Sequence, residues 1–206
     1  MISARKALDQ LRAGNRRFVA ECQRDGRTGA TRREEVTERQ EPFAIILGCS
    51  DSRVPAELVF DQGFGDLFVI RVAGNIVAPS QVGSVEFAAE RYGTSLVVVM
   101  GHSQCGAILA TLEELTGGAA STSGNLRSIV DRVRPSVSTV IAAARGGDPN
   151  ALVSLAVRAN VRASVDHLRH GSALLEGLIE RNGLLIVGAE YSLETGVVDF
   201  FDGPAT

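Results

Sequence analysis

Phe43-Ala44-Ile45-Ile46-Leu47-Gly48-Cys49-Ser50-Asp51-Ser52-Arg53 and Leu96-Val97-Val98-Val99-Met100-Gly101-His102-Ser103-Gln104-Cys105 carry the reading of this chain. Each is a short apolar run, partly β-branched, that meets glycine and then breaks into polar and metal-ligating side chains. Runs apolar at both alternating sets of positions read as strands covered on two faces. Leu67-Phe68-Val69-Ile70-Arg71 and Leu184-Leu185-Ile186-Val187 are two more. Val197-Val198-Asp199-Phe200-Phe201 follows a turn at Glu194-Thr195-Gly196, which predicts a hairpin and an antiparallel edge strand.

Helical periodicity fills the gaps. It predicts an amphipathic helix over the first 20 residues and further helices over 80–92, 104–115, 152–168 and 173–181. Another spans Asn125 to Arg145, with a break near Pro135. Gln23 to Gln40 reads as a polar stretch, and the small-residue segment Gly117 to Gly124 as a loop. Gly63-Phe64-Gly65-Asp66 lacks a phosphate-loop pattern and reads as a turn leading into a strand. Strand–helix alternation predicts an α/β fold. About four parallel strands and the antiparallel edge strand form a central sheet flanked by helices. Residues 1–206 read as a single domain, with 1–40 as an N-terminal helical arm and 41–206 as the core.

Composition narrows the function classes. The length suits one large domain able to bury a substantial core. A net charge of −3, with scattered arginines and Lys6 as the single lysine, argues against a nucleic-acid partner. No apolar run approaches the ~18 residues of a membrane span, and no secretory leader is evident. Three cysteines make no disulfide framework, which predicts a cytoplasmic protein. Cys22 reads as an inert thiol, and His167 and His170 as part of a solvated helix face.

In open α/β sheets the carboxyl ends of the strands form the binding crevice. Cys49 follows the first strand and His102 the third, so neighbouring strands bring both clusters together. Two thiolates and one imidazole are a donor set for Zn²⁺, and three protein ligands leave the open place of a catalytic site. Cys105 is expected in the first turn of the next helix, where the dipole favours thiolate. Asp51 decides the fourth place. Turned to the metal it is a fourth ligand in a closed state; held by Arg53 in a bidentate pair it leaves the place to water, acidified to hydroxide. Two thiolates put more negative charge on the ion than three imidazoles, which predicts a water pKa above ~7 and activity rising with pH.

Cys49-Ser50-Asp51-Ser52-Arg53 with His102-x-x-Cys105 resembles the β-class carbonic anhydrases. Gly14-Asn15-Arg16-Arg17-Phe18, Arg71-Val72-Ala73-Gly74-Asn75 and Gly188 to Gly196 are similar to further family segments. The resemblance implies a zinc lyase for reversible hydration of carbon dioxide to bicarbonate, with one Zn²⁺ per subunit on Cys49, His102 and Cys105. It implies Asp51–Arg53 as the gating pair. It also implies a homodimer or higher homo-oligomer with clefts at the subunit interface, and an N-terminal helix reaching to the partner. Gln40 and Phe68 match a substrate-binding glutamine and a pocket phenylalanine of plant-type members, while Phe87 stands where they have tyrosine. Ile46 stands where bicarbonate-regulated members have tryptophan, so no bicarbonate-locked state is expected, although Arg71 of that site is present. Carbon disulfide or carbonyl sulfide hydrolysis, or a non-catalytic zinc-binding module, are the alternative readings.

Overall fold

A computed structural model of the chain describes residues 2–119, 123–143 and 148–203. Its sheet has five strands in the order β2-β1-β3-β4-β5: β1 Ala44–Gly48, β2 Leu67–Arg71, β3 Leu96–His102, β4 Leu185–Tyr191 and β5 Val198–Asp202. The first four pair in parallel and β5 returns antiparallel, as expected from the 194–196 turn. Eight helices surround it among the described residues: α1 Ala4–Val19, α2 Ala30–Glu35, α3 Ala56–Val59, α4 Pro79–Arg91, α5 Gly106–Leu115, α6 Gly124–Ala143, α7 Pro149–His170 and α8 Ala173–Asn182.

Strand alternation divides the core. Ala44, Ile46 and Val98 face Leu8 and Leu11 of α1 and Phe60 beyond α3. Ile45, Leu47, Val97 and Val99 face Val85 of α4, Val161 and Val165 of α7, and Leu175 of α8. A third apolar cluster caps the carboxyl rim of the sheet, with Ile108 of α5, Val133 of α6 and Val157 of α7 closing over Cys49 and Cys105.

The N-terminal helix is seated on its own sheet. Ala4, Ala7, Leu8 and Leu11 form a buried stripe at helical spacing. Gly14 permits the contact, because a Cβ there would lie 1.8 Å from the Phe60 carbonyl oxygen. Buried Asn15 then donates to the carbonyls of Val59 (3.1 Å) and Gly196 (2.9 Å) and accepts from the Val198 N–H (2.9 Å), tying α1 to α3 and β5. The expected arm over 1–40 thus begins as part of the core.

Other expectations are corrected. α6 runs through Pro135 without a break, since the buried stripe Val130, Val133 and Val137 holds the helix although proline removes one backbone bond. Residues 144 and 145 of the helix expected over Asn125 to Arg145, and residues 120–122 of the expected 117–124 loop, lie outside the described residues. The polar stretch 23–40 contains the short α2, whose Arg32 donates to the Phe64 carbonyl and to Asp66. Cys105 is the N-cap of α5, one position ahead of its first turn.

Candidate metal centre

The carboxyl ends of β1 and β3, hydrogen-bonded neighbours, deliver the donors. β1 stops at Gly48 and hands Cys49 to a turn closed by the Val54 N–H on the Asp51 carbonyl (3.1 Å). His102 ends β3, and Gln104 sits between it and Cys105 with φ +56, the left-handed conformation that non-glycine residues avoid. That reversal turns the N-cap Cys105 back toward His102.

The donor atoms of Cys49, His102 and Cys105 all lie within 4.8 Å of one another, and all three residues are buried. Two sulfurs about 2.3 Å from one tetrahedral ion sit about 3.8 Å apart; Cys49 and Cys105 Sγ are 4.0 Å apart. His102 Nδ1 lies 2.9 Å from the Ser103 carbonyl, and with that nitrogen donating, the lone pair is on Nε2. Nε2 is buried without a hydrogen-bond partner. An orphaned imidazole nitrogen beside two sulfurs fits a bound transition metal.

The local field favours a charged sulfur. The Cys105 thiol beside Cys49 moves the latter's pKa below the usual thiol range, against the opposing effect of burial. Cys105 is raised by the Cys49 sulfur and by burial, with the Ala107 and Ile108 amides acting the other way. Burial works against charge on His102, but the Cys49 sulfur outweighs it and moves the imidazole upward.

Asp51 and Arg53 form the expected bidentate pair, Nε to Oδ1 at 2.9 Å and Nη2 to Oδ2 at 2.7 Å. The Arg53 backbone N–H adds a third bond to Oδ1 (3.0 Å), closing an Asx turn. The Arg53 side chain is the main reason the Asp51 carboxyl is held well below its ordinary range. Asp51 Oδ2 lies 3.9 Å from His102 Nε2, so the carboxylate stands beside the donor cluster while Arg53 grips it.

The sequence reading assigned no bracing role to two residues of this rim, although Arg71 was named there for its likeness to a bicarbonate site. Arg71, at the end of β2, donates from Nε to the Cys49 carbonyl (3.0 Å) and from Nη2 to the Asp51 carbonyl (2.6 Å). It braces the turn that carries both side chains. Ser103 bonds Glu194 (2.9 Å) and accepts from the Leu193 N–H (3.0 Å), pinning the His102 loop to the turn after β4. Both positions fall in segments with a family pattern, but a bond to a backbone carbonyl leaves no signature in sequence.

Gln40, Phe68 and Phe87 are gathered elsewhere. Phe68 pairs with Ile45, four residues before Cys49, about 13 Å back along the strand. Its ring lies 6.2 Å from Phe87 and 6.1 Å from Tyr92, and Gln40 donates to the Tyr92 hydroxyl (3.0 Å). Phe87 is 52% exposed. The structure thus brings the three ligating residues, Asp51 and Arg53 together at one rim, and the three pocket candidates together toward the other.

Comparison with known proteins agrees with this geometry. A family model described as "Carbonic anhydrase" matches residues 44–198. A carbonic anhydrase of Mycolicibacterium smegmatis is 46% identical over 127 residues, covering 62% of this chain and 61% of that relative's length. Carbonic anhydrase 2 of Mycobacterium tuberculosis is 37% identical over 186 residues, 90% of this chain and 87% of the relative. Among solved structures, one from a study of two tetrameric β-carbonic anhydrases of Sordaria macrospora shares the fold with a TM-score of 0.75. It is 23% identical, with 84% of this chain and 87% of that one covered.

Proposed function

The chain belongs to the carbonic anhydrase family, in its β class, and on that premise we propose that it hydrates carbon dioxide reversibly to bicarbonate and a proton with one Zn²⁺ held by Cys49, His102 and Cys105. The observation that carries this reading is the set of three donor atoms within 4.8 Å, with His102 Nε2 buried and unpartnered. Zn²⁺, when bound, supplies a Lewis acid that makes coordinated water nucleophilic near neutral pH. The chain's own residues govern access to it. Arg53 holds the Asp51 carboxylate away from the donors; released from Arg53, that carboxylate is close enough to take the fourth position and shut the site.

Carbon dioxide has no net dipole and suits an apolar wall, whereas bicarbonate needs a hydrogen-bond donor. Phe68 and Phe87 supply the wall and the Gln40 amide the donor. These residues lie away from their own chain's metal cluster, which supports a homodimer or higher assembly in which a second copy presents them. The Sordaria structures, described as tetrameric, support an oligomer of this kind. We propose a cytoplasmic location, on the ground that reducing conditions preserve a thiolate site. No helix among the described residues is long and apolar enough to cross a membrane.

Cys49→Ala, His102→Ala and Cys105→Ala should each lose stoichiometric zinc and drop stopped-flow hydration at least about a thousandfold, the equivalent of several kcal/mol of Lewis-acid stabilisation. Full activity in any of them, or a wild-type protein without metal, would overturn the assignment. Parallel assays with carbon disulfide and carbonyl sulfide separate carbon dioxide hydration from hydrolysis of those substrates.

A further inference from the structure

The turn Ala73–Asn75 follows β2 and reaches the metal centre through its backbone: the Gly74 N–H donates to Cys49 Sγ at 3.4 Å. Its conformation is unusual. Gly74 has φ +70 and the adjacent Asn75 φ +42. Two successive left-handed residues, the second not glycine, cost about 1–2 kcal/mol and persist only where the surroundings impose them.

Here α7 imposes them. Asn160 Nδ2 donates to the Gly74 carbonyl at 2.8 Å, and Ser164 Oγ to the Asn75 carbonyl at 3.1 Å. The two are four residues apart, one above the other on the helix face that also carries Val157, Val161 and Val165. Asn160 is 2% and Ser164 5% exposed. Polar groups buried in a valine face weaken packing unless their bonds serve a purpose. The helix that holds them is itself closely seated: a Cβ on Gly101, next to His102, would lie 2.7 Å from a Val161 methyl.

We propose that Asn160 and Ser164 are positioning residues for the metal-ligating sulfur, acting through the Gly74–Asn75 turn to keep one N–H on Cys49. A hydrogen bond to a metal-bound sulfur withdraws electron density from it, so the ion remains a stronger acid, and it fixes the sulfur's lone pairs in direction. Hydroxyl and amide thereby reach the reaction from a helix that supplies no ligand. The inference rests on Cys49 being a metal ligand.

Co²⁺-loaded protein tests it. In Asn160→Ala the near-ultraviolet sulfur-to-cobalt charge-transfer band should shift, and transfer of Co²⁺ to a chelator should quicken about tenfold, the lower end of what outer-sphere partners contribute. Ser164→Ala should change both in the same direction by less. A folded Asn160→Ala protein with the wild-type band and release rate overturns the inference, and so does one that is merely less stable to heat with its band unmoved. If Asn160→Ala does not fold, Ser164→Ala decides on the same two readouts. A wild-type chain that takes up no Co²⁺ overturns the metal reading itself, and the inference with it.

Discussion

The two rims of the sheet are finished to different degrees. The carboxyl rim is tightly held: sulfurs in an apolar cluster, Asp51 gripped three times by Arg53, and the turn carbonyls held by Arg71. At the amino rim Phe68, Phe87 and Tyr92 stack loosely beside Gln40, with Phe87 half in solvent. Within one chain the donors for a metal ion are gathered at one point, while the proposed substrate-pocket residues stand apart from them. The contrast teaches that the fold alone gathers the donor atoms, whereas the proposed pocket residues need a second copy to reach them.

The sharpest way to break this contrast is to separate the rims onto different chains. Cys49→Ala and Gln40→Ala proteins should each be poorly active alone. Co-refolded in equal amounts, half of the dimers are mixed, and each contains one site with intact metal and intact glutamine. Hydration should then recover to about a quarter of wild type for a two-fold assembly. No recovery would place Gln40 and its own metal in one cleft. A smaller effect is expected within the carboxyl rim. Arg71→Ala removes two charge-assisted bonds and should lower hydration about tenfold with metal content kept, and unfolding stability by about 1–2 kcal/mol. Loss of stability alone would mean that the brace serves only the fold.

The smallest effect lies between the rims, at the point where the N-terminal segment is fastened. Burial would raise the Asp61 carboxyl, but Arg17 (2.5 Å) and the Arg24 backbone outweigh it, and its pKa is held below the ordinary 3.8. A carboxylate depressed on folding stabilises fully above its unfolded pKa and loses that contribution as pH falls through the folded one. Asp61→Asn should therefore be less stable than wild type by about 1–2 kcal/mol at neutral pH. The gap in denaturant midpoint should close progressively below pH 3.8. A gap that persists in acid would show that packing, not charge, fastens the segment.

How legible each rim was follows from the kind of bond involved. Cys49, His102 and Cys105 announce themselves because few side chains ligate metals, and strand periodicity places them at one edge. The parallel strands and the antiparallel edge strand were readable for the same reason, through apolar runs and a hairpin turn, but the strand order came only from the structure. Asn160, Ser164 and Arg71 act on carbonyl oxygens, which every residue possesses, so their partners have no identity in the sequence. Proline chemistry alone predicted a break at Pro135, but the valine stripe on either side holds the helix together. The 23–40 segment looked featureless because α2 buries none of its residues; Arg32 fixes it instead through Phe64 and Asp66. Gln40, Phe68 and Phe87 stood out only through family likeness, since nothing in the pattern of one chain links them to the donor cluster.

That β1 and β3 lie side by side, although β2 comes between them in sequence, has a consequence for biosynthesis. His102 leaves the ribosome 53 residues after Cys49, roughly 3–10 s later at ordinary elongation rates. Throughout that interval the first thiol has no companions and can hold an ion only weakly. On the proposed ligation, loading must wait until the third strand has docked, which would make ion capture a late checkpoint on maturation and not its seed.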